Sequence, residues 1–88
     1  MNVSFDKSFG KSLDKINDSL LLGKIEKVII NCENASQIND ISNLKKMSGF
    51  KFYYRIKIAD YRVGIELLED EIHFITVLHR KDIYKKFP

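Results

Sequence analysis

From Phe50 onward apolar and polar residues alternate along the chain. Phe52, Tyr54, Ile56 and Ile58 fall on one side of an extended backbone, and Lys51, Tyr53, Arg55 and Lys57 on the other. That period of two is the mark of a strand. Ala59-Asp60 reads as a two-residue turn. The next strand sends Tyr61, Val63, Ile65 and Leu67 inward and Arg62, Gly64 and Glu66 outward. After Glu69-Asp70, a third strand supplies Ile72, Phe74, Thr76 and Leu78 to the inner face, with His73, Ile75 and Val77 outside. The first half has a different rhythm. Asn2–Phe5 suits a short opening strand, and Asp6 a helix N-cap. Phe5, Phe9, Leu13 and Ile16 then line one helical face, although Gly10 within it costs about 1 kcal/mol relative to alanine. Asn17–Ser19 supplies a stop and restart. A second helix, Ser19–Asn34, carries Leu21, Leu22, Ile25, Val28, Ile29 and Cys32 as its apolar stripe. The segment Ser36–Gly49 reads as a polar loop pinned by Ile38, Ile41, Leu44 and Met47. His79–Pro88 is a polar tail of one or two helical turns, with Ile83 and Phe87 packed down.

These elements predict an α+β fold: an N-terminal strand and an antiparallel helical hairpin packed on an antiparallel β-meander, closed by a short C-terminal helical turn. Its 88 residues suit one domain, residues 1–88, with a modest core. The N-terminus lacks a signal-like apolar segment and no apolar run is long enough for a membrane helix, so the expected location is the cytoplasm and no membrane partner is expected. Cys32 is the single cysteine, which excludes an internal disulfide and any cysteine-based zinc pattern. It reads as a small buried apolar residue. Two histidines without matching carboxylates make a weak metal site, and no metal or cofactor is expected.

A net charge of +3 is mild, and it is the placement of the cations that changes the picture. A two-residue turn at Ala59-Asp60 sets Lys57 opposite Arg62, Arg55 opposite Gly64 and Tyr53 opposite Glu66. Like charges directly opposed in a sheet cost a few tenths to about 1 kcal/mol. Gly64 leaves space beside Arg55, so three cations surround an open patch that a polyanion would neutralise. The same face also fits a solvated edge that blunts aggregation. Tyr53, interleaved with the cations, is a candidate for base stacking. Lys51, Lys81, Lys45 and Lys46 are candidates to extend a phosphate-binding track. His79 fits either acid–base work or a capping role at the strand end, whereas His73 fits a structural pair with Glu66.

The run "YYRIKIADYRVGIELLEDEIHFITVLHRKDIYKKF" resembles the RelE/ParE superfamily of type II toxins. The likeness lies in two separated motifs, Tyr54–Val63 and His79–Tyr84. The ending is similar to the RelE-like branch, whose members are endoribonucleases that cut mRNA on the translating ribosome; ParE-like members poison DNA gyrase instead. The resemblance places the RelE-like strand cations on Arg55 and Lys57, the second-strand arginine on Arg62, the late arginine on Arg80 and the C-terminal tyrosine on Tyr84. It implies a cognate antitoxin and a toxin–antitoxin heteromer, with mRNA and the ribosome as targets. Attack of a 2′-hydroxyl on its phosphate needs a base, a clamp and an acid. Lys57 is the base candidate, with its neutral form favoured by the neighbouring Arg55 and Arg62. Arg62 is the clamp, Arg80 serves the leaving oxygen, and Tyr84 orients a base or assists proton transfer. A gyrase-directed toxin is the first alternative; Leu78, where the family often has glycine, and Arg55, where RelE itself has lysine, leave open a degenerate member that only binds antitoxin or nucleic acid.

Overall fold

The computed structural model describes residues 1–88. Its elements are β1 (Asn2–Phe5), α1 (Lys7–Asp14), α2 (Ser19–Asn34), a 3₁₀ turn at Ile38–Asp40, β2 (Leu44–Lys46), β3 (Tyr53–Ile58), β4 (Tyr61–Leu68), β5 (Glu71–His79) and α3 (Ile83–Lys86). The five strands form one sheet in the order β1-β5-β4-β3-β2. β3, β4 and β5 are the expected meander, and both two-residue turns lie where the alternation placed them. The sheet as a whole is mixed, because β1 pairs parallel to β5 from Asn2↔Glu71 to Phe5↔Phe74.

Both helix starts follow from local chemistry. The Asp6 carboxylate accepts from the Ser8 backbone N–H, and Asp18 accepts from Leu20 and Leu21. These bonds satisfy N–H groups that a helix start otherwise leaves open. Ser8 lowers the Asp6 pKa through its hydroxyl and its backbone N–H. The cap at Asp6 is therefore present near neutral pH and lost as pH falls through that depressed value. The cap at Asp18 supports the longer helix, and replacing Asp18 with alanine lowers global stability by about 1 kcal/mol, measurable as a shift in urea midpoint at constant slope.

The main core lies between the helices and one face of the sheet. Phe9 of α1 and Leu21, Ile25 and Cys32 of α2 meet Ile56, Ile58, Val63, Ile65, Ile72, Phe74 and Val77. Burial raises the Cys32 thiol pKa to about 11, as expected for an inert core residue. Beyond the end of β1, α1 lies along the open edge of β5: the Ser8 hydroxyl bonds the Ile75 carbonyl and Ser12 meets the Thr76 hydroxyl.

Four expectations are corrected here. Leu44–Lys46 is not loop but the edge strand β2, paired antiparallel with Leu44↔Ile56, Lys45↔Arg55 and Lys46↔Tyr54. Phe52 precedes β3 and is 56% exposed instead of joining the core. β5 contains a bulge: Gly64 faces Thr76 and Ile65 faces Phe74, so Ile75 has no partner in β4. One extra residue inverts the side-chain faces beyond it. Val77 therefore packs in the main core while Leu78 packs on the other face. That other face is not simply solvated. Met47, Ile83 and Phe87 form a second small core on it, flanked by Tyr53, Ile75 and Leu78. No helix is long and apolar enough to cross a membrane.

Candidate functional site

The meander brings three of the predicted cations onto one face. Lys57 is directly opposite Arg62, and Arg55 lies one pair further along, opposite Gly64. β2 adds Lys45 beside Arg55. The cations thus come from three strands, and the row through Arg55 crosses four: Lys45, Arg55, Gly64, Thr76. Arg55 is partly buried, donating from Nη1 to the Asn43 carbonyl at 3.1 Å, with its Nε 3.4 Å from the Tyr84 hydroxyl. Arg62 folds back so that Nη1 donates to the carbonyls of Ala59 and Tyr61, each at 2.9 Å. These bonds brace a turn in which Ala59 adopts φ of 52°, a left-handed conformation that costs alanine roughly 1–2 kcal/mol. Lys57 points freely to solvent.

Tyr84 arrives from α3. It is 62% exposed, while the adjacent Ile83 is fully buried. The hydrogen bond from Arg55 lowers the Tyr84 pKa, with smaller contributions from the charges of Arg55, Lys45 and Arg62. A phenol beside three cations is a better proton donor than ordinary tyrosine and still offers a flat ring to a base. Arg80 sits at the same end of the sheet. Its backbone N–H donates to the Asp60 carbonyl at 2.8 Å, and its guanidinium approaches the Asp60 carboxylate at 3.9 Å. Both groups are well exposed, so the pair is a weak tether.

Other candidates lie elsewhere. The bulge carries His79 round to the helix side of the sheet, paired with Tyr61 and 5.4 Å from its ring. Its Nδ1 accepts from the Lys81 backbone N–H at 3.2 Å, which is the capping arrangement. His73 faces Glu66 in register, but its ring contacts Ser4 through Nδ1 at 2.7 Å and approaches Asp6 through Nε2 at 3.6 Å. Tyr53 packs near-perpendicular to Phe50 and Phe87, at ring separations of 5.7 and 5.6 Å, and so flanks the second core. Lys51 lies in the turn before β3, at the end of that strand remote from Lys57, and Lys46 falls on the opposite face from Lys45. Lys81 is exposed beside Arg80. The patch beside Arg55, read as open, is filled: the Phe87 ring covers Gly64. The largest cleft, about 600 Å³, is at the other end of the sheet. Its rim of Glu69, Asp70 and Glu71 repels a phosphate.

The sequence and the fold that carry this face are similar to those of known proteins. A family profile described as the ParE toxin of the type II toxin-antitoxin system parDE matches residues 3–84. Toxin RelE3 of Methanocaldococcus jannaschii is 42% identical over 89 residues, covering 100% of both chains. The chain belongs to the RelE/ParE superfamily of type II toxins. Among solved structures, the RelB-RelE antitoxin-toxin complex from Methanococcus jannaschii contains a chain 39% identical to this toxin, with a TM-score of 0.82 over 97% of this chain and 99% of that one. The isolated Escherichia coli RelE toxin shares the fold at a TM-score of 0.63 and 18% identity, over 89% of this chain and 82% of that one. In the toxin described here, Arg55, Lys57 and Arg62 share one face, Tyr84 touches Arg55, and Arg80 stands beside the Ala59-Asp60 turn.

Proposed function

We propose that this toxin is an endoribonuclease that cuts mRNA on the ribosome and is held inactive by a cognate antitoxin. The observation that carries the reading is the contact between Tyr84 and Arg55 on the face shared by Lys57 and Arg62. It sets a proton donor with lowered pKa beside fixed positive charge, which is what an in-line attack on phosphate requires. Lys57 is the base that takes the proton from a 2′-hydroxyl. The 2′-oxygen then bonds to phosphorus. Arg55 and Arg62 hold the non-bridging oxygens as charge builds, and the bond from phosphorus to the 5′-oxygen breaks. Tyr84 gives its proton to that oxygen, leaving a 2′,3′-cyclic phosphate and a 5′-hydroxyl. Arg80, released from its weak tether to Asp60, adds charge near the leaving group. The step is metal-independent in this reading, because side-chain cations supply the charge neutralisation.

The relatives support the partner as well as the activity. One is named a RelE toxin, and one solved structure is an antitoxin–toxin complex. An antitoxin segment rich in acidic residues, laid over the cationic face, matches its charge and blocks RNA. Brief expression followed by mapping of RNA ends is the test. New 5′-hydroxyl ends at ribosome-positioned codons are expected, and Arg62→Ala lowers their rate of appearance at least tenfold with the fold unchanged. Intact RNA together with accumulated gyrase–DNA cleavage complexes overturns the reading.

A further inference from the structure

The C-terminal segment crosses the sheet face that carries the cations, and a single backbone position receives it. A Cβ placed at Gly64 comes within 2.9 Å of three Phe87 ring atoms. That is closer than non-bonded carbons approach. Gly64 is therefore the seat of the Phe87 ring, and any larger residue would force the ring to move. Phe87 is 4% exposed and Ile83 fully buried. Between them lies α3, a single turn whose closing bond runs from the Phe87 N–H to the Ile83 carbonyl at 3.0 Å. One helical turn has no stability of its own in water. Its position is set by two buried side chains, Ile83 within the second small core and Phe87 on Gly64. Gly64 is the β4 partner of Arg55, so the seat adjoins the guanidinium to which the Tyr84 hydroxyl is bonded.

We infer that Gly64 and Phe87 are positioning residues: the ring seated on the glycine fixes α3 so that the Tyr84 hydroxyl meets Arg55. The inference rests on the endoribonuclease reading for its effect on cleavage, but not for its structural content. Neither residue touches the reacting atoms. Gly64 provides the absence of a side chain, and Phe87 provides the weight that keeps a one-turn helix in place. The lowered pKa of Tyr84, whose main cause is the Arg55 hydrogen bond, reports whether the alignment holds.

The experiment compares Gly64→Ala, Phe87→Ala and the size-compensated double variant Gly64→Ala/Phe87→Leu. Folding is checked by thermal melting. Tyrosine ionisation is followed by ultraviolet absorbance, with Tyr84→Phe identifying the early-titrating group. In each single variant the Tyr84 midpoint is expected to rise toward that of ordinary tyrosine, and cleavage at saturating RNA to fall at least fivefold. The double variant should recover at least half of both losses. A folded Gly64→Ala protein with unchanged Tyr84 titration overturns the inference, as does a double variant no better than the single ones. Where Gly64→Ala fails to fold, Phe87→Ala carries the same readings without a clash. If the unsubstituted toxin cuts no RNA, the endoribonuclease reading falls, and the titration series still decides whether the seat positions Tyr84.

Discussion

Tyr84→Phe slows RNA cleavage by about a hundredfold or more, the range expected when a general acid is removed, and does so with little loss of stability. The ring remains and only the hydroxyl is lost, and Tyr84 is 62% exposed, so no core contact is broken. The pH profile carries the finer test. A tyrosine that donates a proton works only below its own pKa, so cleavage in the unsubstituted toxin declines as pH rises through that value. The Arg55 hydrogen bond and the neighbouring cations place the decline below the ordinary tyrosine value of 10.0. Arg55→Gln removes the main cause and shifts the declining limb to higher pH. Single-turnover cleavage of a defined mRNA across a pH series measures both effects. Equal rates for Tyr84→Phe and the unsubstituted toxin would remove Tyr84 from the chemistry.

The largest expected effect on stability belongs to Phe74→Ala. Phe74 is fully buried in the middle of β5 and packs against Phe5 and Phe9 at ring separations of 5.5 and 5.4 Å. It therefore joins β1, α1 and the meander at one point. Removing such a ring costs about 3–5 kcal/mol from lost burial plus the cavity left behind. A domain of this size has a total stability of roughly 5–15 kcal/mol, so the variant sits near the unfolding threshold. Calorimetry is expected to show a melting temperature lower by at least about 12 °C. A fall of only a few degrees would mean that the Phe5–Phe9–Phe74 cluster collapses to refill the space.

Alternation made the meander readable because β3, β4 and the first part of β5 bury one face consistently. It fixed the opposition of Lys57 with Arg62 and of Arg55 with Gly64, both of which stand in the structure. The helix starts and the apolar stripe of α2 were legible, since Asp6 and Asn17–Ser19 are local signals, but the first helical face was read too long: Phe5 belongs to β1 and Ile16 lies beyond α1. What was hidden depends on tertiary contact. Leu44–Lys46 is three residues long, too short to show a period, and becomes strand only because β3 offers an edge. The bulge at Ile75 has no sequence signature: Ile75, Thr76 and Val77 are all good strand formers, so nothing marks where the faces invert. That one residue moves His79 to the helix side and Leu78 to the cationic side.

The site was legible in its charges and not in its packing. Arg55, Lys57, Arg62, Arg80 and Tyr84 stand out through residue type and motif. The role of Gly64 does not, because an empty position on a strand looks the same whether a substrate or a side chain fills it. The only hint was Phe87 itself, a large apolar residue in an otherwise polar tail. The same oversight explains Tyr53, which alternation put among the cations but which the tail claims for the second core.

The parallel pairing of β1 with β5 joins residues 2–5 to residues 71–74. Contacts so distant in sequence slow the search for the native state. While the protein is being synthesised, β1 must wait without a neighbouring strand until residues 71–74 have been made. A newly made molecule thus passes through an interval in which its sheet is incomplete, and the order of translation itself delays the appearance of a finished toxin.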